Sequence, residues 1–385
     1  MTCRVHLCGV QQTRGWRRSI RCGGIPLMND IMNKCLLRWS ISRRGLPGRG
    51  ETIRLAEDLT TVQRTRRSIE NFRGDYQGLA NLVQRSWGEN SQQGLAYSAE
   101  FLESFLTSPG ASVSLAPAIY EDDALIGFAS GFPRQVTVRG HSLRLITSSF
   151  LSVLPECKKF GFGIALWTEL VKRARDNGFD GMLNFCVDGE PMNRMVEGCC
   201  RRLNLPVLRI FSIRYMSSLL KPADFTASAA RGAVSDVDDL LNLAAPLVPS
   251  QPLAREWTLE EAEWQCLRRT GGIFAHTARG SRRGILTGYV IPILDSAGTR
   301  CLVVEDVLWG QLRPEERSEL LGQFFSQAVS QGAQMATVPM LGYADLSAFK
   351  KFRFFPTRRV LHCYLTLFKD HFPLEPLSSM YVDAF

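Results

Sequence analysis

Apolar residues recur along this chain at two spacings, and the alternation between them lays out the elements. Residues 66–72 read as a first strand. From 75 to 87 the apolar positions Leu79, Leu82, Val83 and Trp87 fall at helical spacing. Ser98 stands as an N-cap for a second helix, with Phe101, Leu102 and Phe105 on its apolar side and Pro109-Gly110 ending it. Strands at 112–120, 124–135 and 142–154 follow, joined by the short turns 121–123 and 139–141, so they predict an antiparallel meander. A Gly-containing loop at 158–163 leads into a helix over 164–177 that Gly178 caps. A strand at 182–187, a helix at 192–203 and a strand at 206–216 close the block.

After a linker at 221–223 the same order returns. Helices are expected at 235–247 and 258–269, the latter opened by Thr258 and Glu261 as a capping box. Strands at 272–278, 285–294 and 300–309 precede a long helix at 314–331, a strand at 334–339, a helix at 344–351 and a strand at 358–368. The fold class is therefore α/β, an α+β arrangement with a mixed sheet. The repeated order suggests an internal duplication. The expected organisation is a leader over 1–64, blocks over 65–220 and 224–370, and a tail over 371–385.

Charge changes this picture only at one end. The chain carries a formal +9. Over residues 1–69 Arg and Lys outnumber the acids by about 10. The surplus belongs to the leader, which speaks against nucleic acid as the partner of the folded part. Cys3, Cys8, Cys22 and Cys35 in that leader lack zinc-ligand spacing. It has no sustained apolar run for secretion, resembles a transit peptide only in being Arg-rich and acid-poor, and contains the alternative starts Met28 and Met32. A disordered or spurious extension is the favoured expectation. No apolar run reaches the roughly 20 residues of a membrane span. The odd total of 11 cysteines, without a framework, fits reduced thiols and a cytoplasmic setting.

The chemistry sits at 150–165. A buried strand stops at Pro155, a loop holds Lys158, Lys159, Gly161 and Gly163, and a helix begins. Glycines let a ligand approach the backbone, and the helix start offers N–H donors at the positive end of its dipole. Together they make a pyrophosphate cradle. A P-loop needs Lys-Ser or Lys-Thr after its last glycine, and a dinucleotide fingerprint needs glycine where Leu166 stands. Neither fits a loop that follows an antiparallel meander.

Val153, Pro155, Lys158, Gly161 and Gly163 fall in register with the acetyl-CoA signature of the GNAT superfamily, which residues 66–217 resemble. Lys158 stands where Arg or Gln is usual in that family. The resemblance implies two consecutive GNAT-like folds and acetyl-CoA as co-substrate, without a metal. It implies that pantetheine pairs with Leu151, Ser152 and Val153. It implies that the amides of Lys158, Lys159, Phe160, Gly161, Phe162, Gly163 and Ile164 hold the pyrophosphate, and that Asn193 matches a family asparagine. Seven residues on, many members place a tyrosine that protonates the CoA thiolate; here Cys200 stands as a proton donor or a small core residue. Asp188 and Glu190 are the first candidates for general base, or else solvated carboxylates and helix caps. Glu156 would repel pyrophosphate, and His141 lies in a turn.

The equivalent loop of the second block, 309–317, lacks the glycine pair and carries Pro314, Glu315 and Glu316, so it is not expected to bind phosphate. The aromatic and basic stretch 348–355 reads as a last helix and turn rather than a nucleic-acid surface. Two function classes follow: an N-acetyltransferase acting on a small-molecule or peptide amine, and an acyl-CoA-binding sensor without turnover.

Overall fold

The meander expected after the first two helices sits inside a 12-stranded sheet in a computed structural model of the chain. The structure describes residues 68–88, 94–225, 236–294, 298–369 and 372–383. The leader 1–64, with its four cysteines and Met28 and Met32, lies outside the described residues.

In chain order the first half runs β1 (Ser68–Asn71), α1 (Tyr76–Gly88), α2 (Ala99–Leu106), β2 (Pro117–Glu121), β3 (Ala124–Val138), β4 (His141–Val153), α3 (Phe162–Asp176), β5 (Gly181–Val187), α4 (Pro191–Leu203) and β6 (Val207–Leu219). The second half runs α5 (Asp236–Ala244), β7 (Leu253–Arg255), α6 (Leu259–Glu263), β8 (Gly272–Arg279), β9 (Arg282–Pro292), β10 (Arg300–Leu308), α7 (Pro314–Ser330), β11 (Met335–Met340) and β12 (Phe355–Leu367). Ser98 caps α2 by accepting from the Phe101 amide, and Thr258 and Glu261 form the expected capping box on α6.

Several local expectations change. Residues 113–115 turn as a 3-10 helix, so β2 starts only at Pro117. The helix expected over 258–269 is α for one turn and π from Trp264 to Arg268. Residues 347–352 form a 3-10 helix where a longer helix was expected, and Leu253–Arg255 pair with β3 as an unforeseen strand.

Apart from β1, β7 and the 3-10 turn that stands in place of α4, the two halves follow a similar element order, and each contains a parallel strand–helix–strand crossover, β4–α3–β5 and β10–α7–β11. Their closing strands are exchanged. β12, the last strand of the second half, pairs with β5 of the first, while β6 of the first pairs with β11 of the second. β6 and β12 also pair with each other, so the sheet continues through the expected boundary at 220–224. Residues 65–385 form one compact unit. The division into 65–220 and 224–370 therefore describes element order, not separable sheets.

α3 and α4 pack over β4 and β5 on Leu166, Trp167, Leu170, Val196 and Met182, all buried. α7 covers the second half through Leu320, Leu321, Phe324 and Phe325. α1 and α2 cover an aromatic cluster that includes Phe101, Phe105, Phe128, Phe132 and Phe150. The expected tail is packed where it is described: Met380 and Tyr381 are buried and bridge to Gly342 and Ala254. No helix among the described residues is long and apolar enough to cross a membrane.

Candidate functional site

The site begins where β4 and β5 part. They pair in parallel from Leu145↔Gly181 to Ser148↔Asn184 and no further. Beyond that rung β5 continues against β12, with Cys186 opposite His362. β4 continues against β3 through a bulge between Ser149 and Ser152. Phe150 occupies the bulge at φ 55, a left-handed conformation that costs a bulky residue about 1–3 kcal/mol. That conformation puts its buried ring among Tyr97, Phe105 and Phe132, at centroid distances of 5.2, 5.9 and 6.2 Å.

The loop after β4 is a 3-10 turn, Pro155–Phe160, ended by Gly161 at φ 77. Gly161 is also the N-cap of α3, which has no side-chain cap. The first intrahelical bond runs from the Ala165 amide to the Gly161 carbonyl, so the Gly163 and Ile164 amides precede the helical ladder. A Cβ on Gly163 would meet only Met195 Sδ and Val153 Cγ2, both at 4.0 Å. Packing within the protein does not demand glycine there, whereas close approach of a ligand would. Phe160 and Ile164 expose apolar surface at the rim.

The last turn of α1 is tied to this loop, a relationship invisible in the local pattern. The Lys158 ammonium donates to the Ser86 carbonyl at 3.0 Å, and Arg85 pairs with Glu156 at 2.9 Å. The Val153 amide donates to Ser86 Oγ at 3.2 Å, and Trp87 Nε1 donates to the Leu151 carbonyl at 3.4 Å. The strand edge expected to face pantetheine is thus bonded to α1. Lys159 lies over the Phe160 ring at 5.2 Å. Ser152 Oγ is buried without a hydrogen-bond partner.

Across the gap, Asn193 donates from Nδ2 to the Val187 and Glu190 carbonyls at 2.6 and 3.2 Å. Two carbonyl partners fix the amide's orientation and leave Oδ1 buried without a donor. Asp188 is exposed, and its Oδ1 lies 3.1 Å from His362 Nε2. His362 Nδ1 lies 3.0 Å from Ser212 Oγ, which completes a Ser–His–Asp chain of hydrogen bonds. His362 escaped the sequence reading because the exchanged β12 brings it from 174 residues away. Glu190 serves as the backbone N-cap of α4, with no side-chain cap bond. Cys200 is fully buried, 3.5 Å from Thr366 Oγ1, and burial pushes its thiol up to about 11. It sits in the core cluster with Cys199 and Val196. His141 stacks on Phe372, away from this gap.

The second half carries different chemistry at the matching place. Glu316 in the first turn of α7 accepts from Arg282 and from the Arg313 amide, which hold its carboxyl down at about 2. A carboxylate thus occupies that helix start. The β10 irregularity, between Val304 and Val307, holds Asp306, which accepts from Thr287 Oγ1 at 2.5 Å and Gln265 Nε2 at 2.7 Å. Among the described residues no group of three or more His, Cys, Asp or Glu could hold a metal ion.

Residues 76–197 match the model of the acetyltransferase (GNAT) family, and the chain carries a domain of that family. N-myristoyltransferase from Saccharomyces cerevisiae, solved with bound myristoyl-CoA, is similar to the chain at 14% identity. The match covers 85% of each chain with a TM-score of 0.62. A second solved form of that enzyme, with myristoyl-CoA and inhibitors, is similar at 15% identity over 84% of this chain and 82% of that one, with a TM-score of 0.63. These likenesses extend the fold beyond the family match into the second half. No curated protein sequence matches the chain.

Proposed function

We propose that the chain is an N-acyltransferase that moves an acetyl group from acetyl-CoA to a primary amine of a small molecule or peptide. The observation that carries this reading is the parting of β4 and β5 after Ser148↔Asn184, beside a helix start built on Gly161 and Gly163. Pyrophosphate would take the amides at the start of α3, including those of Gly163 and Ile164, with Lys159 nearby. The pantetheine arm would run along Leu151–Val153, replacing the bonds from Ser86 and Trp87, and offer a donor to Asn193 Oδ1.

In the reaction, the neutral amine attacks the thioester carbon, the C–S bond breaks and CoA leaves as thiolate. The proton released from the amine needs an acceptor, and Asp188, backed by His362 and Ser212, fits that role directly or through water. With Cys200 held in the core, the thiolate would take its proton from solvent or from this chain of bonds. The acyl group is short in this reading. Behind the bulge, Phe150, Tyr97, Phe101 and Phe105 fill the space with rings in mutual contact. Turnover with acetyl-, butyryl-, octanoyl- and myristoyl-CoA against an amine panel tests it. The expected result is highest kcat/KM with acetyl-CoA and a loss of 100-fold or more by octanoyl, on the order of 3 kcal/mol.

A second reading, an acyl-CoA sensor without turnover, is favoured by the burial of Cys200 where the family tyrosine would stand. Binding of acetyl-CoA with no thiol release across the whole panel would select it.

A further inference from the structure

Trp167 and Asn184 are both fully buried, and the indole Nε1 donates to Asn184 Oδ1 at 2.9 Å. An indole N–H can only donate, so this bond fixes which end of the asparagine amide is oxygen. The other end, Nδ2, is left buried without a hydrogen-bond partner. A stranded donor of this kind costs about 1–3 kcal/mol unless something accepts from it. Asn184 forms the last rung between β4 and β5, so it stands at the closed end of the gap. Its side chain lies on the α3 side of the sheet, bonded to Trp167 of that helix.

The second stranded atom of the gap is Asn193 Oδ1, held near Val187 at the open end of β5. Three residues of strand, about 10 Å, separate the two positions. The pair is complementary in kind: an acceptor at the mouth and a donor at the closed end. An acyl-CoA arm threaded from the mouth presents amide N–H and hydroxyl groups first and its thioester carbonyl last.

We propose that Asn184 Nδ2 donates a hydrogen bond to the thioester carbonyl of the acyl donor and stabilises the negative charge that develops on that oxygen, with Trp167 as the residue that aims it. This rests on the acyltransferase reading above. As the amine nitrogen bonds to the carbonyl carbon, the carbonyl electron pair moves onto oxygen. It returns as the C–S bond breaks and thiolate departs, while the amine proton passes to Asp188, directly or through water. Asn184 exchanges no proton. A donor fixed in advance in a dry site needs no reorganisation, which is where such contacts are strongest.

The test compares the wild-type chain with Asn184→Leu and with the double variant Trp167→Phe/Asn184→Leu, which removes both polar partners together. Three quantities are measured: the dissociation constant of CoA, kcat for acetyl transfer, and the carbonyl stretch of bound 13C-acetyl-CoA. In the wild type the stretch is expected below its value in solution, and in both variants it returns toward that value. The expected fall in kcat is roughly 10²- to 10³-fold, with CoA affinity changed less than about two-fold, because free CoA lacks the carbonyl. The single variant Trp167→Phe keeps the donor but frees its orientation, and an intermediate loss of kcat is expected. An unchanged stretch and kcat in Asn184→Leu, or an equal loss of affinity for CoA and acetyl-CoA, would overturn the assignment of Asn184 and leave the acyltransferase reading standing. Failure of the wild-type chain to bind CoA or acetyl-CoA at all would overturn both.

Discussion

Asp383 accepts from Arg134 Nε at 2.7 Å, 249 residues away in sequence, and its other oxygen is bonded to Arg255. The three side chains are buried, and Glu261 lies 3.6 and 3.7 Å from the two guanidinium groups. Burial alone would raise the Asp383 pKa; Arg134 and Arg255 outweigh it and hold the carboxyl below its ordinary value. Asp383→Ala strands two buried cations and is expected to cost about 3–5 kcal/mol, read as a lower urea midpoint at unchanged slope. Because the folded pKa is depressed, the stabilisation is fully present above the ordinary carboxylate range. It is lost as pH falls through the folded value, so the gap between wild type and variant should narrow in acid.

Asp306 behaves in the opposite sense. Burial, the larger cause, pushes its carboxyl up to about 6 despite the bond from Thr287. The folded chain therefore holds a proton that the unfolded chain releases near pH 4, and this group's contribution to stability declines as pH rises from about 4 to about 6. Asp306→Asn keeps an acceptor for Thr287 and Gln265. The variant should gain stability relative to wild type as pH rises through that window and hold a constant difference above it. Urea unfolding at pH 4.5, 5.5 and 7.5 checks the sign.

Gly161 and Gly163 should separate a folding role from a binding role. Gly161→Ala forces a Cβ into a φ of 77 and should cost about 1 kcal/mol in stability along with binding. Gly163→Ala adds a Cβ that meets nothing closer than 4.0 Å and replaces glycine within α3. Its melting temperature should stay level or rise, while CoA affinity falls about 10-fold. Calorimetric titration beside thermal unfolding distinguishes the two outcomes.

In the proposed binding mode Ser86 and the pantetheine arm compete for the Val153 amide, which now donates to Ser86 Oγ. Ser86→Ala removes the competitor, so CoA should bind two- to ten-fold more tightly, at a cost of about 1 kcal/mol in stability. Equal or weaker binding would mean that pantetheine does not use that amide.

The loop at 155–163 was legible because glycine pairs, a strand-ending proline and a helix start leave marks at fixed offsets. The left-handed conformation of Phe150 within the bulge left none, since an aromatic residue at positive φ is imposed by its ring partners and not by local preference. Asn184 was lost inside the apolar run 182–187, where one polar residue looks tolerated until its neighbour Trp167 is known. The strand exchange was equally hidden. Residues 206–216 and 358–368 are both β-rich closing segments, and either can sit beside β5; only the paired register decides.

That exchange has a consequence for the chain as it is made. Residues 181–187 emerge early, yet their neighbour on one side is a segment that leaves the ribosome about 180 residues later. Until then the first half presents an unpaired edge that can capture a strand from another molecule. The strand that borders the gap beyond Ser148↔Asn184 is therefore synthesised well after the two strands that open it.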